Sequence, residues 1–196
     1  MSTIEYTSNN LELATIDRII KYYDKTYSFF KHNEKNDEFD FTYASKGWAL
    51  EQVTYFSKTS KQVIEYEKAL KKGKHPDPKR VEGSIVDING DLLAYIGNGM
   101  TDTRKNLRSV ISHKNMICTK RAKKEKIFQR IDLAITVPED PLFNSPNSIK
   151  PLDEFVTSYN SIFTRIFIVF YNCMFVFNGK TGEYSFISYD DKKLQQ

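Results

Sequence analysis

The chain has 196 residues, of which 40% are hydrophobic, 28% charged and 14% aromatic: enough apolar material for one core, and too much for a disordered segment. The net charge is only +4, so a strongly cationic function has to come from local concentration of charge. The longest apolar run, Ile162 to Phe177, is broken by Thr164, Arg165, Asn172 and Cys173 and falls short of the ~20 residues a membrane-spanning helix needs.

The opening MSTIEYTSNN has no basic region followed by an apolar one, so a cytoplasmic location with no membrane partner is expected. Cys118 and Cys173 both sit among apolar neighbours, which predicts buried thiols rather than a disulfide. Together with His32, His75 and His113 they show no zinc-ligand spacing.

Asn9 and Glu12 resemble a capping box, and Leu13, Ile16, Ile20, Tyr23, Tyr27 and Phe30 recur at helical intervals, which predicts an amphipathic helix from about Leu11 to Lys31. The polar stretch HNEKNDEFD then reads as a loop. Ala49, Val53, Phe56, Val63 and Leu70 suggest a second helix from about Ser45 to the stop at Gly73, with Trp48, Tyr55 and Tyr66 near its apolar stripe as core aromatics. The prolines of GKHPDPK break that helix. They divide the chain into a helical part, residues 1–78, and an α+β part of the same compact domain, residues 79–196.

Two short apolar runs between Ser84 and Ile96 flank Asn89-Gly90, the pair that favours a type I′ turn, so a β-hairpin is expected there. Thr101 or Asp102 then caps a helix carrying Leu107, Val110 and Ile111. Ile131, Leu133, Ile135 and Val137 alternate with Asp132, Ala134 and Thr136, the pattern of a strand with one buried face. Pro138, Pro141, Pro146 and Pro151 frame a long loop, and Asp153 and Glu154 suit the first turn of a short helix from Leu152 to about Phe163. RIFIVFYNCMFVF and EYSFISYD, joined by NGKTG, read as a C-terminal hairpin whose first strand is covered on both faces. The expected fold class is α+β, with N-terminal helices packed on an antiparallel β-sheet.

The functional signal is the charge between Thr101 and Arg130. Ten basic residues, Arg104, Lys105, Arg108, Lys114, Lys120, Arg121, Lys123, Lys124, Lys126 and Arg130, face only Asp102 and Glu125, a balance of about +8 that leaves about −4 for the rest of the chain. A stretch of this kind neutralises phosphates, so the leading expectation is a non-enzymatic binding protein that engages nucleic acid or an acidic protein surface. A protein-interaction or assembly subunit, in which the lysines only solvate the surface, stays open beside it.

The hairpin adds a second class. Gly83-Ser84-Ile85-Val86 and Tyr95-Ile96-Gly97, followed by Arg104, resemble the core motif of the GIY-YIG nuclease superfamily across residues 83–160. The first motif lacks the tyrosine usual in that family. The resemblance implies a Mg²⁺-dependent endonuclease in which Tyr95 and Arg104 are catalytic, Arg104 contacting the phosphate, and Glu154 holds the metal. Without that activity no cofactor is expected.

Overall fold

The computed structural model describes residues 8–33, 38–95, 100–125, 127–138 and 161–189. It divides into two compact units, one made of Met1–Tyr55 with Asn106–Gln196 and the other of Phe56–Lys105. The proline-rich stretch expected to separate two parts of the chain lies inside the second unit.

The first unit is built on a seven-stranded sheet. Its strands are β1 (Lys31–His32), β2 (Phe41–Tyr43), β3 (Trp48–Thr54), β6 (Arg130–Thr136), β7 (Arg165–Val169), β8 (Cys173–Asn178) and β9 (Tyr184–Ser188), in that spatial order. The β3–β6 and β6–β7 pairs are parallel and all others antiparallel. The fold class is therefore α+β, but the sheet is mixed, not antiparallel throughout.

That parallel centre explains the strand patterns. Every residue of β6 from Ile131 to Thr136 is buried, so the expected one-sided strand is covered on both faces. On one face, helix α1 (Ser8–Tyr22) lays Ile16 and Ile19 against Leu50, Ala134, Phe167 and Met174. Side chains alternate along a strand, so Glu51 of β3 points to the opposite face, where helix α3 (Met100–Glu125) meets it through Lys114 and Arg121. Leu107, Ile111 and Cys118 form the buried stripe of α3.

Several elements differ from expectation. The first helix ends at Tyr22 rather than Lys31, because extended Asp24 accepts a hydrogen bond from the Thr26 amide (2.9 Å) and caps a separate 3-10 turn, Lys25–Phe29. The helix expected from Ser45 to Gly73 is a strand and a helix, β3 followed by α2 (Lys58–Lys71), whose cap is Ser57. Gly47 turns the chain into β3 at φ 62°, and a Cβ there would lie 2.9 Å from the Ile127 carbonyl oxygen. The apolar run after Arg165 is two strands, β7 and β8, that reverse at Tyr171-Asn172, so the C-terminal region is a three-stranded meander.

In the second unit, β4 (Ser84–Val86) and β5 (Leu92–Tyr95) form the predicted hairpin, but as a two-stranded sheet of its own, not as part of the main sheet. Its loop is wider than a two-residue type I′ turn, since Val86 pairs with Leu92. Asp87 Oδ1 organises it by accepting from the Asn89 and Asp91 amides, both at 2.9 Å, while Gly90 takes φ 84°. The proline-framed loop from 139 and the helix expected at Leu152 fall outside the described residues, apart from Ser161–Phe163, which are not helical. Among the described residues no helix is long and apolar enough to cross a membrane.

Candidate functional site

Helix α3 carries most of the cationic segment, and the fold sorts its charges by direction. Lys114 Nζ lies 2.6 Å from Glu51 Oε1 and Arg121 Nη1 lies 2.8 Å from Glu51 Oε2, so one strand carboxylate bridges two cations two helical turns apart. The Glu51 side chain is 4% exposed, and those of Lys114 and Arg121 are 20% and 15%. Arg121 also lies over the Phe39 ring at 5.1 Å. These two basic residues therefore fasten α3 to the sheet.

A third cation of the segment is committed elsewhere. Arg130, at the start of β6, donates from Nε to Asp132 Oδ2 (2.8 Å) and stacks its guanidinium 4.4 Å from the Trp48 ring. Arg104 and Arg108 are half-buried on α3. Lys105, Lys120, Lys123 and Lys124 are exposed, and Lys126 falls outside the described residues. In the first unit, the solvent-facing charge of α3 is thus concentrated in its last turns at Lys120, Lys123 and Lys124. Beside them a groove of about 400 Å³ is walled by Phe39, Gly47, Lys124, Ile127 and Phe128.

Next to Glu51 lies a second carboxylate that sequence reasoning assigned to a loop. Phe41 pairs with Leu50, which brings Asp40 to the rung of Glu51, and Asp40 Oδ2 accepts a 2.6 Å hydrogen bond from the Gln52 amide. Burial pushes the Asp40 carboxyl up to about 6, with the Glu51 charge adding to the rise. Among the described residues no three His, Cys, Asp or Glu side chains converge as a metal cage, so Asp40 and Glu51 form a pair only.

The raised Asp40 value carries a pH prediction. Its ordinary value is 3.8 and its folded value about 6, so the folded state holds the proton more tightly and loses stability as pH rises from about 4 to about 6. Asp40→Asn keeps an acceptor for Gln52 and removes the charge. Its stability relative to the unmodified chain is expected to grow across that window, reaching about 1–2 kcal/mol near neutrality once Asp40's partial exposure is allowed for. Urea unfolding at pH 4, 5, 6 and 7 checks this, and equal differences at all four refute it.

Of the residues implied by the hairpin motif, the backbone of Tyr95 and the whole of Arg104 are described, both in the second unit. Tyr95 is the last residue of β5 and its backbone pairs with Ser84. Arg104 is on α3 in the second unit. The side chain of Tyr95 and all of Ile96 to Gly99 and Glu154 fall outside the described residues. Cys118 and Cys173 are both buried without a disulfide, and burial pushes each thiol up to about 12, the state of inert core cysteines. No protein-family model, curated protein or solved structure matches this chain.

Proposed function

We propose that this chain binds nucleic acid through the solvent face of the end of α3, with Lys120, Lys123 and Lys124 on the phosphate backbone. The division of charge on α3 supports the reading. Lys114 and Arg121 are held beneath the helix by Glu51, whereas the three lysines project from the helix into solvent. Phosphate contacts of this kind give affinity without sequence preference.

The test is a salt titration of binding to fluorescent duplex DNA, single-stranded DNA and RNA. Changing all three lysines to alanine is expected to weaken binding and to flatten the log K against log salt slope by about 2–3. Absence of salt-dependent binding to any of the three ends the reading, and binding to an acidic protein alone moves the same surface to the other class of partner.

A second reading follows the hairpin: β4 and β5 lead into α3, which carries Arg104, the order the resemblance requires. It makes Mg²⁺-dependent phosphodiester cleavage the activity to test, with Tyr95 and Arg104 on the substrate and Glu154 on the metal. Cleavage with Mg²⁺ or Mn²⁺ that is lost in Arg104→Ala and in Glu154→Ala supports it. No nicking of any nucleic acid excludes it.

A further inference from the structure

A second feature lies away from α3, where α1 passes the reversal between β7 and β8. A cleft of about 470 Å³ opens there between Asp17, Arg18, Lys21 and Tyr22 of α1, Tyr171 of the reversal, and Tyr189 just beyond β9. The Tyr189 amide donates to the Asn172 carbonyl (2.9 Å), which ties the last of these residues to the reversal. The lining residues all belong to the first unit.

The cleft is dominated by flat rings and cations. Tyr22 and Tyr189 stack with centroids 4.5 Å apart and planes 28° apart. The Arg18 guanidinium lies 6.0 Å from the Tyr189 ring and Lys21 Nζ lies 4.7 Å from the Tyr22 ring. Tyr171 is 78% exposed, an uncommon position for an aromatic ring on a tight reversal. The Tyr189 hydroxyl, by contrast, is shielded from solvent and has no hydrogen-bond partner among the described residues. A ligand in the cleft does not reach an oxygen without exposed surface, so what Tyr189 offers the site is its ring.

Each feature selects part of a ligand. The exposed Tyr171 ring beside the stacked, half-buried pair favours a flat heteroaromatic partner, since base-on-aromatic stacking does not depend on sequence. Arg18 and Lys21 favour an attached anion. Asp17 at the rim disfavours a bare polyanion and suits the amino groups of a base edge. We propose that this cleft binds a nucleobase carrying a phosphate, with the ring on the tyrosines and the phosphate toward Arg18 and Lys21. The same chemistry is offered by a free nucleotide and by an unpaired base within a strand. This site is independent of the α3 lysines, because α1 and α3 cover opposite faces of the sheet.

The experiment is isothermal titration of the full chain with AMP and UMP, with inorganic phosphate, and with a short single-stranded oligonucleotide carrying 2-aminopurine. Binding of the mononucleotides, with phosphate inert, is expected and identifies the free nucleotide as the source. Quenching of the 2-aminopurine without mononucleotide binding supports the cleft with a strand as the source. In either case Tyr171→Ala, at an exposed position, is expected to lose about tenfold or more in affinity. Tyr189→Phe, which keeps the ring and removes a buried unpaired hydroxyl, is expected to leave binding unchanged and thermal stability equal or higher. Changing Lys120, Lys123 and Lys124 to alanine is expected to leave mononucleotide binding intact, which separates this site from the α3 surface. The proposal is overturned if neither ligand binds, or if binding is indifferent to Tyr171→Ala.

Discussion

Glu51→Ala is expected to lower the stability of the first unit by about 3–5 kcal/mol, a drop of roughly 6–20 °C in Tm for a body of this size. The magnitude follows from what the substitution leaves behind. Glu51 supplies both oxygens to Lys114 and Arg121, at 2.6 and 2.8 Å, and those cations are largely shielded from water under α3. Removing the carboxylate strands two charges that water cannot fully reach. Asp40 remains near and compensates part of the loss, since Lys114 already acts on its titration. The lower half of the range is therefore the expected result.

A triple change distinguishes a stabilising ion cluster from one that merely must not be broken. Glu51→Leu combined with Lys114→Met and Arg121→Leu removes the charges together, and replacement of buried ion groups by apolar residues of similar volume is often neutral or stabilising. Recovery of most of the lost stability, read as the urea midpoint at constant slope, is expected. A single-variant loss under about 1 kcal/mol would show that Lys114 and Arg121 find water or other partners, and that α3 is not fastened through Glu51.

The same cluster shows how far the sequence could be read. Local signals were visible: Asn89-Gly90 marked the hairpin, Leu107 and Ile111 marked one face of α3, and the density of apolar residues after Arg165 marked strands covered on both faces. Strand β3 was not visible, because a strand buried on both sides loses its alternation, and Ala49, Val53 and Phe56 happen to repeat at helical spacing. The role of Glu51 depends on partners 63 and 70 residues away, and no local pattern encodes them. For the same reason the cationic segment read as one block. Its division into inward and outward charge is set by the strand beneath α3, and Lys114 is chemically no different from Lys120 until that strand is placed.

Asp132 presents the companion case on the other face of the sheet, and Asp132→Ala is expected to cost at least as much as Glu51→Ala. Its side chain is fully buried and accepts from three directions. Tyr27 Oη donates to Oδ2 at 2.6 Å, Arg130 Nε donates to the same oxygen at 2.8 Å, and the Arg165 amide donates to Oδ1 at 3.0 Å. Arg130 also donates to the Tyr27 hydroxyl, which closes a ring of three side chains under Trp48. Alanine removes every acceptor at once and leaves an enclosed guanidinium, so a loss of about 3–5 kcal/mol is expected. Asp132→Asn retains an acceptor for the Arg165 amide and should fall between alanine and the parent chain. Tyr27→Phe removes one neutral hydroxyl, the donor to Asp132 and an acceptor for Arg130, and is expected to cost about 1–3 kcal/mol. Burial, and then the Asp132 charge, raise the Tyr27 phenol above its ordinary range, so it stays a donor through neutral pH and its contribution is lost only as pH climbs past about 10. Because the three side chains share one oxygen, the Asp132→Asn and Tyr27→Phe costs should not add in the double variant, and a double-mutant cycle by urea unfolding reads the coupling directly. Strict additivity would mean that Arg130 and Tyr27 are held by the surrounding packing, and that Asp132 does not tie the segment after α1 to the parallel centre of the sheet.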